Sequence, residues 1–173
     1  MTSQTSGSTS PWEPRLRLLL LGLALFSFAG IALELWFEDH DKELLQLLPF
    51  GICALGFLVI VLVLLKPSTP AIGLMRLVML ASVGVSFLGL YEHIQANYGF
   101  EREIRPTASD ATVFWQALHG SAPTLAPGSL TLIAVLAVGA TMGHPALAYG
   151  SRVSKRAPAP TPVSTKETSA SST

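Results

Sequence analysis

LLPFGICALGFLVIVLVLL, residues Leu47–Leu65, runs for nineteen positions without one charged side chain. A helix rises about 1.5 Å per residue, so a run of this length matches a hydrocarbon layer ~30 Å thick. Three further stretches have the same character: Leu18–Phe37, Ala71–Tyr91 and Pro127–Leu147. The four together predict an all-α fold, a four-transmembrane-helix bundle occupying residues 15–150, with polar tails at 1–14 and 151–173.

Composition supports this reading. Half of the 173 residues are hydrophobic and only 13% are charged, against roughly 25% in soluble domains. The shortage of charge is concentrated in the four runs. Lys+Arg and Asp+Glu both total 11, so no basic face suits nucleic acid. The lone Cys53 lies inside the second run, cannot form an intramolecular disulfide, and reads as a small packing residue. Both tails are rich in Ser, Thr, Pro and Ala, too poor in large apolar groups to offset the entropy of ordering, and are expected to be disordered. Pro158, Pro160 and Pro162 bias the second tail toward extended geometry.

The first run follows Arg15 and Arg17, as a signal peptide would, with Gly30 and Ala32 as small residues near its end. It is too long for that role and continues through Leu35, Trp36 and Phe37. An uncleaved spanning helix with Trp36 as an interfacial anchor is expected.

Flanking charge sets the orientation. With four alternating spans, Arg15, Arg17, Lys66, Arg76, Arg152, Lys155, Arg156 and Lys166 fall on one side, and only Lys42, Arg102 and Arg105 on the other. Basic loops stay in the cytoplasm, so both termini are expected there. An odd number of spans would destroy the asymmetry. Glu38, Asp39, Asp41, Glu43, Glu92, Glu101, Glu103 and Asp110 gather on the outer side.

Prolines punctuate the spans: Pro14 before the first, Pro49 at the start of the second, Pro67 and Pro70 around the inner turn, Pro127 at the start of the fourth and Pro145 near its end. Small residues recur at helical spacing, as Ser82, Ser86 and Gly89 in the third run and Gly139–Gly143 in the fourth. They suit close helix packing within the chain or between copies, and a glycine near a helix end also suits a cap.

The outer loop, residues 92–126, is the one connection with room for a site. The third helix is expected to continue through Asn97. After Pro106, Ser109 or Asp110 is placed to cap a short helix over Ala111–His119, stopped by Gly120. Val113, Phe114, Ala117 and Leu118 would form its apolar face with Trp115 at the edge, which predicts an interfacial helix against the outer end of the bundle.

Several residues invite chemistry. Glu34 lies about one turn inside the outer end of the first helix, where an ionisable group is costly unless hydrated, paired or functional; it reads as a headgroup-level carboxylate or as an ion relay. Arg76 is its inner counterpart, with a stem long enough to reach the surface. Glu92, His93, His119, His40, Asp39 and Glu101 share the outer side, where His93, His119 and Glu92 are candidate ligands for zinc or copper. Adjacent residues on a helix point about 100° apart, so Glu92 and His93 do not easily face one ion. There is no H-E-x-x-H, C-x-x-C, EF-hand, phosphate-binding glycine loop or nucleophile elbow. No cofactor is expected; His144, at the inner end, is poorly placed to share a haem with the outer histidines. Phe114 and Trp115 are the candidate interaction surface.

Tyr91-Glu92-His93, Asn97, Phe100-Glu101 and Ala126-Pro127-Gly128 resemble small uncharacterised multi-pass membrane proteins of bacteria. The likeness covers the third to the fourth helix; it implies a bacterial inner-membrane location and no particular activity. The expected role is that of a non-catalytic accessory protein, embedded in lipid and meeting a membrane-protein partner or a second copy of itself. A small transporter using Glu34, with Glu92 and His93 near by, is the alternative, although no inverted repeat or broken midplane helix is evident. An outer-face metal binder is the third reading.

Overall fold

The structure, a computed structural model, describes residues 12–147. Of the two expected tails only Trp12–Pro14 falls within the described residues; residues 1–11, residues 148–150 at the end of the expected bundle, and the tail 151–173 lie outside them. Five helices follow in order: α1 (Glu13–Phe37), α2 (Leu47–Leu65), α3 (Thr69–Ile104), α4 (Asp110–Ala117) and α5 (Gly128–Ala140). The described fold is all-helical. Three helices, α1, α2 and α3, are long and apolar enough to cross a membrane, whereas α5 is apolar but has only 13 residues.

The boundaries have local causes. α1 begins at Glu13, earlier than the apolar run, because Pro14 sits in its first turn rather than ahead of it; proline's fixed φ and missing N–H fit that position. α3 starts on a Ser68 cap whose side chain accepts from the Ala71 N–H at 3.3 Å. Its 36 residues make it about 54 Å long, well beyond the ~30 Å that a hydrocarbon layer requires. α5 stops at Ala140, short of the expected Leu147. Gly143 takes a left-handed φ of +65° just beyond, and Pro145 blocks continuation. Of the two glycines in Gly139–Gly143, the second thus serves the helix end, while Gly139 stands in open space.

α1, α2, α3 and α5 close a ring in which α1 and α3 each pack against both α2 and α5. The core runs through Leu21, Ala24 and Phe28 of α1, Cys53 and Ile60 of α2, Met75 and Met79 of α3, and Ala134 and Ala137 of α5. Phe28 is fully buried because Gly56 leaves room for its ring: a Cβ there would lie 2.5–2.9 Å from the ring carbons. Between α3 and α5, Ser86 donates to the Pro127 carbonyl at 2.7 Å and accepts from Thr131 Oγ1 at 2.9 Å. Gly89 lies one turn on, where a Cβ would stand 3.0 Å from Pro127 Cβ. Ser86 and Gly89 therefore bring two helices of this chain together. Ser82 bonds back to the Val78 carbonyl at 3.0 Å, which satisfies its buried hydroxyl within α3.

The outside of the bundle is as oily as its core. Phe26 is 77% exposed, Leu80 68% and Val135 62%. Helices that are hydrophobic all round need an apolar surrounding on every side.

Candidate functional site at the C-terminal end of the third helix

α4 forms where the chain turns back after α3. Ser109 caps it, its Oγ accepting from the Thr112 N–H at 3.3 Å, and Asp110 complements the helix dipole in the first turn. Val113 and Ala117 are wholly buried and face α3. Phe114, expected on the buried face, is instead 48% exposed, and Trp115 is 62% exposed. The reason is the narrowness of the contact: only the i, i+4 pair Val113 and Ala117 fits beneath α4, and Phe114 is rotated by a further 100°.

Two side chains of α3, Asn97 and Arg102, hold α4 and the loops on either side of it. Asn97, buried at 3% exposure, donates through Nδ2 to the carbonyls of Ala117 (3.0 Å) and Ala122 (2.8 Å). Its Oδ1 accepts from the Ala122 N–H at 3.0 Å, so the whole amide is used. Arg102 donates to the Ala108 carbonyl at 3.0 Å and to Tyr98 Oη at 2.8 Å, and pairs with Asp110. Its guanidinium also lies 5.5 Å from the Tyr98 ring centre. The hydrogen bond to Tyr98, and after it the one to Asp110, holds the Arg102 pKa above its ordinary value. Glu101, buried at 8% exposure, pairs with Arg105 one turn on.

The candidate residues divide among separate places. His93 turns toward His40 of the α1–α2 connection, with ring centres 6.3 Å apart. Its Nδ1 is buried without a hydrogen-bond partner. Burial first, and the neighbouring His40 second, push the His93 pKa below its ordinary value; the Pro123 carbonyl opposes them. Glu92 lies round the helix from His93, on an open groove of about 490 Å³ with Gln95, Gly99, Phe100 and Glu103. His119 is exposed beside Trp115, its Nδ1 3.0 Å from the Trp115 carbonyl oxygen and its ring centre 5.5 Å from the indole. Glu34 is exposed on α1. Among the described residues no three His, Cys, Asp or Glu side chains gather as a metal site would require.

Two features were not found by reading the sequence. The Asn97 amide works on backbone groups, which carry no side-chain signal; a single Asn on a helix otherwise poised to pack was the available hint. At the opposite end of the bundle, Arg17 Nε donates to the Ala140 carbonyl at 2.8 Å. Arg76 donates to Thr141 through Nε to Oγ1 and Nη2 to the carbonyl oxygen, both at 3.2 Å. Two arginines from different helices thus cap the α5 C-terminus, where positive charge complements the dipole.

What this arrangement supplies chemically is rigidity and display: a short helix clamped by neutral and ionic hydrogen bonds, with two exposed aromatic side chains. No protein-family model, no curated protein and no solved structure matches this chain.

Proposed function

We propose that the chain is a four-span protein of the bacterial inner membrane, with both termini in the cytoplasm, and that it serves as a non-catalytic accessory that presents α4 to a protein partner on the outer side. Charge spacing supports the embedding. α1 is free of charge from Arg17 to Glu34, and α3 from Arg76 to Glu92. These intervals correspond to slabs of about 25 Å and about 24 Å. Arg17 and Arg76 share one level because both bond the end of α5. A slab of that thickness is close to what α5, about 20 Å long, crosses with its flanking turns. The basic flanks then lie inside.

The observation that carries the docking role is the exposure of Phe114 and Trp115 on a helix whose backbone is fixed from behind by Asn97. Aromatic side chains displayed on a rigid support lose little entropy on binding and are favoured interface anchors. A photo-crosslinking amino acid at position 115, activated in native membranes, tests this. A discrete adduct with a second protein is expected, and its loss on Asn97→Ala. Adducts with lipid alone, or a solitary protein after mild extraction, would overturn the docking role.

A further inference from the structure

The inner end of the bundle holds an arrangement that the accessory role does not use. Arg17 and Arg76 converge on two consecutive residues of α5, Ala140 and Thr141. Both side chains are half-buried, and among the described residues neither has a carboxylate within ion-pair distance. Two like charges are thus held close together by neutral acceptors. The bonds named above use Nε of Arg17 and Nε and Nη2 of Arg76. Among the described residues, both Nη groups of Arg17 and Nη1 of Arg76 remain without a partner, and none of these nitrogens is sealed in as a buried unpaired atom. Three guanidinium nitrogens from two helices therefore reach the bundle surface at the level where the charge-free slab ends.

We infer that Arg17 and Arg76 form a site for a phosphate group, that of an anionic phospholipid of the inner leaflet. Guanidinium groups match phosphate oxygens in geometry and are more weakly hydrated than ammonium groups. A basic pocket between helices on the cytoplasmic side is where such headgroups are held. The α5 carbonyls orient both arginines in advance, so little side-chain entropy remains to be lost on binding. The acyl chains would lie along the exposed leucines of the adjoining helix faces, among them Leu18, Leu19, Leu77 and Leu80. The inference rests on the membrane reading of the fold and is independent of the partner role of α4.

The test places the full-length protein in nanodiscs of phosphatidylcholine, with and without phosphatidylglycerol, and follows thermal unfolding. A ligand that binds only the folded protein raises its midpoint, here by about 2–5 °C at saturation. The gain should disappear in the Arg17→Gln, Arg76→Gln double variant and persist in Lys66→Gln, which removes a nearby charge outside the site. Inorganic phosphate added to phosphatidylcholine discs forms the second arm: an equal gain there would assign the site to free phosphate and overturn the lipid. Because the glutamine variant also removes the α5 cap, Arg17→Lys, Arg76→Lys is read beside it, and should keep part of the gain. No gain for the native protein with either additive, or a full gain in the glutamine variant, would overturn the site. A chain recovered without detergent would overturn the membrane reading itself.

Discussion

Asn97 and Gly120 are fitted to one another: a Cβ at position 120 would stand 2.5 Å from Asn97 Oδ1 and 2.7 Å from Nδ2. The glycine is there because the amide occupies the space a side chain would need. Gly120→Ala should therefore displace Asn97 from its three bonds, and Asn97→Ala should leave the Ala122 carbonyl and N–H without their partner and the Ala117 carbonyl with the Gly120 N–H alone. Leaving buried groups unpaired costs about 1–3 kcal/mol. The expected result is faster amide exchange at Ala122 and through residues 117–124 in both variants, with α1 and α2 unchanged. Equal protection in native and variant protein would show that the loop is held by something else.

Phe28 and Gly56 make a similar pair inside the bundle, and here the contrast is with Gly51, which has open space around its missing Cβ. Gly56→Ala forces the Phe28 ring aside in a filled core and should cost about 1–3 kcal/mol. Gly51→Ala removes backbone freedom from a helix and meets nothing, so it should be neutral or stabilising by up to about 1 kcal/mol. Unfolding midpoints of the two variants in one detergent give the comparison. Similar midpoints would contradict the packing.

These pairs mark the boundary of what the sequence made legible. The helices were readable because apolar runs and prolines are local signals, and α4 was readable through Ser109 and Gly120. The Phe28–Gly56 contact, the Asn97 latch and the two arginines on α5 were not. Each joins positions far apart in the chain, as Arg17 and Ala140 do across 123 residues, and most end on backbone carbonyls that every residue has. Phe114 shows a different limit. The apolar pattern of α4 is wider than the surface it packs on, so composition alone assigned inward a side chain that faces out. Span length failed for a related reason: Met142–Leu147 continues the oily composition of α5, but Gly143 and Pro145 end the helix.

His93 predicts a pH dependence. Its folded-state pKa lies below the ordinary value of 6.5, owing first to burial and then to His40. The folded protein thus takes up a proton less readily than the unfolded chain. Stability is full above pH 6.5 and falls as pH drops through that value, because protonation then favours the unfolded state. Unfolding midpoints measured from pH 7.5 to pH 5.5 should decline in the native protein and less steeply in His93→Gln. An identical decline in both would place the acid sensitivity elsewhere.

Ser86 gives the last prediction. Its hydroxyl donates to the Pro127 carbonyl and receives the Thr131 hydroxyl, so one atom joins α3 to the start of α5. Ser86→Ala removes both bonds without adding volume. Hydrogen bonds between helices in a bilayer are worth about 0.6 kcal/mol on average and up to about 1.7 kcal/mol, so the loss should be small. Gly89→Leu acts on the same junction by volume instead: even a Cβ there stands 3.0 Å from Pro127 Cβ, and the longer side chain must push α5 away from α3. It should cost more than Ser86→Ala, about 1–3 kcal/mol, and should increase labelling of a cysteine placed at Thr131 in a Cys53→Ser background. If Ser86→Ala proves the more damaging of the two, the junction is held by its hydrogen bonds rather than by the close approach that Gly89 permits.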